Sequence, residues 1–209
     1  MSIPSPIPHG PGAQRPSDWV ARWARLLPPG ARVLDFAAGG GRNAAPLLEA
    51  GARVSAADID GAALALWGGA RPGQPAGHGR PGSGGAREEV ERLVVDLEHR
   101  PWPFEAGRFD AVVCCNYLFR PRLDLLFGLL APGGLMIYET FARGNERYGK
   151  PSNPAFLLAD GELFEAARRN GFTVLAYEHG YAGAARPALV QRLAAVRPPF
   201  DPERYPVVG

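Results

Sequence analysis

Three aspartates in this chain of 209 residues stand where a carboxylate can bind a ligand. Asp35, Asp58 and Asp96 each close a short apolar run, and three consecutive glycines, Gly39 to Gly41, follow the first of them. Glycines let the backbone approach a ligand closely, and ionised carboxylates accept hydrogen bonds from hydroxyl and ammonium groups. This pattern predicts a binding site that gathers carboxylates around a glycine-rich turn.

Strands that alternate with helices must position these residues. Apolar runs predict seven strands, over residues 31–36, 53–57, 93–95, 109–115, 135–138, 172–178 and 188–196. Helical spacing predicts five helices, over residues 19–27, 42–50, 62–67, 123–130 and 160–170, with Ser17 or Asp18 capping the first and Asp160 capping the last. The alternation predicts an α/β fold, with a doubly wound, mostly parallel sheet of Rossmann-like type and an antiparallel C-terminal strand.

The glycine turn matches more than one class of cofactor. Ligands in open α/β sheets bind beyond the carboxyl ends of the strands. Gly39, Gly41 and Ala44 satisfy the pattern G-x-G-x-x-A, which is a weak match to a dinucleotide fingerprint. Asp58 lies 19 residues after Gly39, where a ribose-binding acid is expected. These two features do not separate one nucleotide-type cofactor from another.

Asp35 favours a cofactor without phosphate. An unscreened carboxylate a few residues from the turn would repel a pyrophosphate. S-adenosylmethionine has no phosphate, carries an ammonium and a sulfonium, and still needs an acid for its ribose. Acids at the ends of the first two strands suit that ligand. The alternative is that Asp35 only caps the turn that follows its strand.

At this point the sequence resembles the class I S-adenosylmethionine-dependent methyltransferases. The segment VLDFAAGGGR is similar to their motif I, with Ala37 in place of the first glycine. VSAADID, VVDLEHRPWPF, FDAVVCCNYL and APGGLMIYETF resemble the family's later strand ends, in the right order. The resemblance implies contacts with S-adenosylmethionine from Trp19, Asp35, Ala37, Gly39, Gly41, Asp58, Ile59, Asp96, Leu97 and Asn116.

Two further segments resemble a narrower bacterial group, the tellurite-resistance-like methyltransferases. They are PSDWVARWARLLPPG before motif I and ETFARGNERYGKPSNPAFLLADGELFEAARRNGF after the fifth strand. In that group the first helix helps to cover the methionine end of the cofactor. The likeness makes Trp19 a candidate lid residue, whereas its helical spacing equally fits a core aromatic residue.

The loops after the fourth and fifth strands hold the acceptor-pocket candidates Tyr117, Arg120, Asn145 and Tyr148. Arginines and a lysine outnumber the acids there, which favours a small, anionic acceptor; the alternative is a solvated loop in an arginine-rich chain. Asn116-Tyr117-Leu118-Phe119 contains no proline, unlike the turn of many enzymes that methylate nucleobase amines. Enzymes that methylate cytosine at C5 carry a Pro-Cys pair in this region, and Cys115 has no proline before it. Both Cys114 and Cys115 are expected to be buried core residues.

Composition and charge narrow the expected partners and location of the protein. A net charge of +2 gives no reason to expect a nucleic-acid or membrane partner, and two adjacent cysteines with no signal peptide predict a cytoplasmic protein. A disordered segment is predicted over 1–16, one domain over 17–197 with a flexible excursion over 68–87, and a tail over 198–209. No metal site is predicted, and His78 is interpreted as solvated.

The sequence therefore predicts a methyltransferase that moves a methyl group in line from S-adenosylmethionine to an unidentified, small acceptor. Two alternatives remain open. One is an NAD(P)-dependent oxidoreductase, which requires the turn to tolerate a phosphate beside Asp35. The other is a non-catalytic, methyltransferase-like binding module, for which Ala37 and the excursion are the only support. Oligomeric state and acceptor identity are not predicted.

Overall fold

The computed structural model describes residues 15–67, 90–183 and 187–206. The predictions for residues 1–14 and for the excursion over 68–87 with His78 lie outside these described residues. The strands are β1 Arg32–Phe36, β2 Arg53–Asp58, β3 Val90–Val94, β4 Phe109–Cys115, β5 Leu130–Phe141, β6 Thr173–Ala182 and β7 Ala188–Val196. The helices are α1 Asp18–Ala24, α2 Ala44–Glu49, α3 Gly61–Leu64, α4 Leu123–Gly128 and α5 Glu162–Arg169.

The seven strands form one sheet in the order β3-β2-β1-β4-β5-β7-β6. Neighbours from β3 through to β5 pair in parallel, and β7 pairs antiparallel with both β5 and β6. The predicted fold class is confirmed. The order reverses between β1 and β4, so the crevice for a ligand lies beyond the carboxyl ends of these two strands.

Side chains alternate between the two faces of the sheet, and each face has its own core. Leu34 and Phe36 pack with apolar side chains of α4 and α5. Val33 faces the other way and packs with side chains of α1, α2 and α3. Because successive strand residues point to opposite faces, Asp35 shares the face of Val33. Helices thus cover both faces, as in a doubly wound fold.

Several of the predicted boundaries are wrong, including two around the fifth strand. The fifth strand begins at Leu130, which pairs with Phe109 before a shift in register, rather than at Leu135. The helix before it ends at Gly128 instead of Leu130. Pro132-Gly133-Gly134 therefore interrupts the regular pairing of a strand and does not stop a helix, a distinction that turn composition alone cannot make.

The caps of the first and last helices differ in how well the sequence predicts them. Ser17 is the cap of α1, and its hydroxyl accepts from the Val20 amide at 3.4 Å. The prediction for Asp160 is wrong, because left-handed Gly161 occupies the cap position of α5 without a side-chain bond. The Asp160 carboxylate instead lies 3.0 Å from Nδ1 of His179 on β6.

The start of α1 and the predicted tail both reach the core. The Ser17 amide donates to Oδ1 of Asn43 at 3.0 Å, so α1 begins beside the turn that leads into α2. Tyr205, within the predicted tail, is buried in the core on the α1 face. None of the helices in the described ranges is long and apolar enough to cross a membrane.

Candidate functional site

The turn after β1 places several residues in the left-handed backbone region. Ala37 has φ of 56°, Gly39 of 52° and Gly41 of 79°. A residue with a Cβ is strained there by about 1–2 kcal/mol, whereas glycine is not. The departure from motif I at Ala37 therefore falls on a position whose conformation favours glycine.

Three amides of this turn are already engaged in hydrogen bonds. The Ala38 amide donates to the Ala57 carbonyl at 3.0 Å, and the Gly39 amide donates to Oδ2 of Asp58 at 2.8 Å. The Gly41 amide donates to the Ala38 carbonyl at 3.1 Å. A dinucleotide turn uses free amides to hold a pyrophosphate, so this geometry is poorly suited to a phosphate.

Trp67 closes the underside of the turn, and sequence reasoning missed this role. A Cβ added at Gly41 would meet the Trp67 ring at 2.6 Å, and the indole Nε1 donates to the Gly39 carbonyl at 3.2 Å. The Trp67 side chain is fully buried. Gly41 is thus required by packing as well as by its conformation. The only sequence signal was a large aromatic residue at the end of a short predicted helix.

Asp58 links the tip of β2 to the glycine turn. Besides the bond from Gly39, its Oδ1 accepts from the Asp60 amide at 2.9 Å. Each carboxylate oxygen retains a second acceptor site, so both remain able to accept from ribose hydroxyls. The next residue, Ile59, is 56 % exposed. An exposed branched side chain beside Asp58 can offer an apolar surface to a nucleobase, as the prediction for Ile59 requires.

Asp96 lies beyond the third strand, as predicted. Its Oδ1 accepts from the amides of Glu98 and His99, both at 2.9 Å, and these bonds lower the pKa of the Asp96 carboxyl. Leu97 is buried in the core on the α4 and α5 face. Its side chain therefore supports the loop from below.

Asp35 is buried deeply and is incompletely paired. The residue is 2 % exposed, and its Oδ2 has no hydrogen-bond partner within the described residues. Burial raises the pKa of the Asp35 carboxyl from 3.8 to about 7, with Arg42 opposing this shift and Asp58 adding to it. A buried polar atom without a partner is costly, which marks Oδ2 as a place for a ligand donor. It does not cap the following turn, so the structure does not support that alternative.

The tips of the neighbouring strands β1, β4 and β5 form the floor of the crevice. Cys115 pairs in register with Glu139, and both lie on the face of Asp35. Burial raises the pKa of the Cys115 thiol well above its usual range, and the charge of Glu139 raises it further. The Cys115 thiol is therefore uncharged and lines the bottom of the crevice. Both cysteines are buried, which confirms that prediction.

Arginines neutralise Glu139, and sequence reasoning did not find this network. Oε2 of Glu139 accepts from Nε of Arg192 at 2.7 Å, and Oε1 lies 3.6 Å from Nη2 of Arg42. Arg192 also donates to Glu178 at 3.1 Å, so charges alternate across β5, β7 and β6. Pairs in register between distant strands leave no local sequence signal.

Trp19 is a core residue, and the lid assignment is not supported. It is 2 % exposed, and its indole Nε1 donates to the Leu193 carbonyl of β7 at 3.1 Å. Its ring packs edge-on against Trp23 at 5.6 Å. Of the two interpretations of this residue, the core aromatic one describes the structure.

Asn116 and Tyr117 follow β4 at the other side of the crevice. Asn116 has φ of 57°, and its amide donates to the Glu139 carbonyl at 2.8 Å. Tyr117 packs on Phe36, and its hydroxyl lies 3.3 Å from Oε1 of Glu98. Burial raises the pKa of the Tyr117 phenol, and Glu98 raises it further, so the hydroxyl stays protonated. Asn116 stays a predicted cofactor contact, and Tyr117 stays a candidate at the acceptor side.

Arg120 and Asn145 hold loops together. Arg120 pairs with both carboxylate oxygens of Glu162 and also donates to the carbonyls of Ala155 and Leu157. Asn145 is 1 % exposed; its Nδ2 donates to the Pro151 carbonyl and its Oδ1 accepts from the Leu189 amide. These contacts occupy the groups that were expected to bind an acceptor, so neither residue is supported in that role.

The remaining pocket candidate and the loop cations are exposed. Tyr148 is exposed and its ring lies 5.2 Å from that of Tyr181 on the edge strand. Arg143, Arg147 and Lys150 are also exposed. Arg122, in contrast, donates to the carbonyls of Leu97 and Arg100. Within the described ranges, no group of three or more His, Cys, Asp or Glu side chains is arranged to hold a metal ion.

Comparison with known proteins places this geometry in a family. A model of the methyltransferase domain matches residues 34–137, which run from β1 through most of β5. The demethylmenaquinone methyltransferase of Clavibacter sepedonicus is 30% identical over 154 residues, or 66% of this chain and 57% of that protein. The chain belongs to the class I S-adenosylmethionine-dependent methyltransferases.

Solved structures share the methyltransferase fold. An S-adenosylmethionine-dependent methyltransferase from Methanosarcina mazei has a TM-score of 0.62 at 15% identity, covering 88% of this chain and 99% of its own. TehB from Haemophilus influenzae has a TM-score of 0.63 at 16% identity, covering 85% of this chain and 61% of its own. At such identities the likeness shows the fold alone. The chain spans a little over half of the length, 57%, of the curated relative it matches.

Proposed function

We propose that this chain transfers the methyl group of S-adenosylmethionine to a small acceptor. The acceptor atom forms a bond to the methyl carbon while the bond from carbon to sulfur breaks, and the electron pair of that bond stays on sulfur. The leaving group is then neutral S-adenosylhomocysteine. Because this leaving group is good, positioning and desolvation supply much of the catalysis.

One observation carries the choice of cofactor. Asp35 presents a buried oxygen that has no partner among the described residues, beside a turn whose amides are mostly bonded. A cationic, phosphate-free ligand satisfies that oxygen, whereas a pyrophosphate would meet a carboxylate and few free donors. Asp58 and Asp96 at the next two strand tips supply acceptors for the ribose and the adenine amino group.

The acceptor lies, by this proposal, beyond β4 and β5. Tyr117, which packs on Phe36, lines the near side, and exposed Tyr148 lies among the cations of the loop after β5. Exposed Arg143, Arg147 and Lys150 support an anionic acceptor; the commitment of Arg120 and Arg122 to other partners weakens that support. A soft nucleophile such as a thiolate needs no general base at this site. A cytoplasmic location also stays a prediction.

Calorimetric titration tests the cofactor. S-adenosylhomocysteine and NADH should be titrated separately into the full chain, with binding expected for the first alone. Tight NADH binding with no binding of S-adenosylhomocysteine would favour the oxidoreductase and overturn the proposal. Binding of neither compound would favour the non-catalytic module.

An assay for S-adenosylhomocysteine release then tests catalysis. The acceptor panel should contain thiols, metalloid oxyanions, carboxylates, small amines and demethylmenaquinone, since the curated relative is named for the last compound. Release that depends on one acceptor class identifies the substrate class. Cofactor binding without release for any class would support the binding module instead.

A further inference from the structure

Two tyrosine rings lie side by side on the surface, at the end of the molecule where the acceptor is expected. Tyr148 in the loop after β5 is 46 % exposed, and Tyr181 on β6 is 57 % exposed. Their ring centroids lie 5.2 Å apart, with the ring planes inclined by 55°. Contact between the rings therefore leaves about half of each residue open to solvent. Adjacent exposed aromatic surface of this kind is typical of a binding site.

The fold puts this tyrosine pair at the ligand edge of the sheet. Both β5 and β6 are antiparallel to β7, so they run in the same direction and end at the same edge. The tips of β1 and β4 lie at that edge too, because β4 pairs in parallel with both β1 and β5. Tyr181 is the last residue but one of β6. The tyrosine pair therefore shares an edge of the sheet with the crevice.

The strand order sets the distance between the tyrosine pair and the crevice. Three strand spacings separate β4 from β6, in the order β4-β5-β7-β6. Neighbouring strands lie about 4.8 Å apart, so the ends of β4 and β6 are separated by about 14 Å. A simple thiol or a metalloid oxyanion in the crevice is too short to reach the pair. A ligand that contacts both regions must be elongated.

The loop that carries Tyr148 is held in place by other residues. Asn145 is buried, and its side chain bonds to the Pro151 carbonyl and to the Leu189 amide. A small core of four buried side chains also lies at this end of the sheet: Phe141, Leu157, Ala188 and Val190. Tyr148 belongs to neither set of contacts, so its ring is available to a ligand.

Cations flank Tyr148 in the same loop. Arg143, Arg147 and Lys150 are exposed, and Glu146 is the one acid of the loop. Oε2 of Glu146 accepts from the Gly144 amide at 2.8 Å. None of the three cations forms a salt bridge with a residue that the structure describes. The excess of positive charge favours an anionic group beside the tyrosine pair.

We infer that the tyrosine pair binds the far end of an elongated methyl acceptor, and that this end carries an aromatic ring and an anionic substituent. The ring stacks on the exposed tyrosines, and the anionic group pairs with the neighbouring cations. The atom that takes the methyl group lies at the other end of the acceptor, in the crevice. Contacts remote from the reacting atom supply binding energy that orients it. This inference rests on the proposed function and names the class of its acceptor.

Three rod-shaped ligands separate the effect of the ring from that of the charge. 4-(Phenylethynyl)benzoate is aromatic and anionic, and 4-(phenylethynyl)benzyl alcohol is aromatic and neutral. 4-(2-Cyclohexylethyl)cyclohexanecarboxylate is anionic and saturated. Each ligand is titrated into the full chain in the presence of saturating S-adenosylhomocysteine, and ligand-observed NMR measures its affinity. Calorimetry first measures the binding of S-adenosylhomocysteine alone, so a failure of the proposed function is recognised separately.

Two double variants remove the rings and the charges in turn. Tyr148→Leu/Tyr181→Leu keeps apolar side chains at both positions and removes the aromatic rings. Arg147→Gln/Lys150→Gln keeps polar side chains and removes two cations. All four residues are exposed, so the variants are expected to fold, and circular dichroism checks this.

Two single variants at the opposite edge of the sheet are the matched controls. Phe200→Leu removes a partly exposed aromatic ring that stacks on Tyr205, beyond the end of β7. Arg53→Gln removes an exposed guanidinium at the start of β2. Both controls should bind the three ligands as the unmodified protein does.

The expected result is a preference that each double variant loses in part. In the unmodified protein, 4-(phenylethynyl)benzoate should bind about 2- to 10-fold more tightly than its saturated analogue and about 2- to 5-fold more tightly than the alcohol. The tyrosine variant should lose the first preference, and the charge variant should lose the second. An inter-ligand nuclear Overhauser effect should connect the unsubstituted ring with the protons beside the sulfur of S-adenosylhomocysteine.

Three results overturn the inference. The first is binding of S-adenosylhomocysteine without binding of 4-(phenylethynyl)benzoate. The second is survival of both preferences in the double variants. The third is binding without the inter-ligand effect, which would place the ligand away from the crevice. The first and third results need only the unmodified protein, so they decide even where a variant does not fold. If S-adenosylhomocysteine itself does not bind, the proposed function fails and this inference falls with it.

Discussion

The two halves of the strand-tip surface use their polar side chains differently. In the cofactor half, formed by the tips of β1, β2 and β3, Asp35 keeps a buried oxygen without a described partner. In the acceptor half, formed by the loops after β4 and β5, Arg120 and Asn145 are bonded on several sides. One half leaves groups for a ligand, and the other uses its groups to hold its own loops.

The place of a polar residue in the fold decides whether its side chain is left for a ligand or holds a loop. The sheet fixes the position of a side chain at a strand tip. One of its polar atoms can therefore stay without a protein partner and bind a ligand. A long loop has no backbone hydrogen bonds of the kind that paired strands form, so its backbone groups need side-chain partners. Polar residues in such loops are therefore structural until their contacts are known.

Replacing Asp35 with asparagine should give the largest effect, and the effect depends on pH. The pKa of this carboxyl is about 7 in the folded chain against 3.8 when unfolded. Between these values the folded state holds a proton that the unfolded state has lost, so unfolding free energy falls as pH rises. Asp35→Asn removes this loss, which is about 1.4 kcal/mol per pH unit at most.

Urea unfolding of both proteins at pH 5 and pH 8 measures this difference. Asp35→Asn should gain stability relative to the unmodified chain as pH rises from about 4 to 7, and the gain should level off above pH 7. Binding of S-adenosylhomocysteine should weaken in the variant, as the ammonium loses its carboxylate. A stability difference that stays constant with pH would show that Asp35 is not buried as described.

Replacing Asn145 with leucine should lower stability and leave cofactor affinity nearly unchanged, which is the opposite of the pattern expected for Asp35→Asn. The change leaves the Pro151 carbonyl and the Leu189 amide without their partners, which costs about 3 kcal/mol of unfolding free energy. Affinity for S-adenosylhomocysteine should stay within about 2-fold, because the cofactor half is untouched. Urea unfolding and calorimetry at one pH measure the two quantities.

Asn153→Ala is the matched control for that variant. Asn153 caps the neighbouring 3₁₀ turn by accepting from the Ala155 amide at 3.0 Å, and it is exposed. Its loss should cost about 1 kcal/mol or less. If Asn145→Leu left stability intact and abolished turnover, Asn145 would be an acceptor ligand and the contrast between the halves would fail.

Asp58→Ala probes the cofactor half with a smaller expected effect. Loss of the proposed ribose contact should weaken cofactor binding by about 1–3 kcal/mol, or roughly 5- to 150-fold. The adjacent acid Asp60 caps α3 through the amides of Ala62 and Ala63. Asp60→Ala should therefore lower the melting temperature while leaving affinity for S-adenosylhomocysteine unchanged. Equal affinity losses in both variants would mean that Asp58 acts only by holding the turn.

The fold and the placement of three acids at one edge of the sheet were largely predictable because their signals are local. Each strand-tip acid directly follows its own apolar run, and a strand order with a switch point brings those tips to one edge. The alternation of strands and helices predicts the sheet without knowledge of any distant contact. Helix and strand ends were less certain, as Asp160 and Leu130 show.

The acceptor half was not predictable to the same depth, because its contacts join residues far apart in the chain. Arg120 meets Glu162 across 42 positions, and Arg192 meets Glu139 across 53. The type of a residue indicates that it needs a partner and does not indicate which one. Trp19 was ambiguous for a related reason, since an aromatic residue at helical spacing fits both a lid and a core.

Ala37 allows the smallest effect to be isolated. At φ of 56° its Cβ is strained by about 1–2 kcal/mol, and glycine would remove that strain. Glycine also raises the conformational entropy of the unfolded chain, which lowers the free energy of unfolding by about 0.4–1 kcal/mol. Ala37→Gly should therefore stabilise the protein by at most about 1.6 kcal/mol. Ala38→Gly carries the same entropic cost at a half-buried neighbour that lies outside the positive-φ set, so it should destabilise. The difference between the two melting curves reports the strain at Ala37, and equal shifts in both variants would mean that this alanine sits in the family's glycine position without strain.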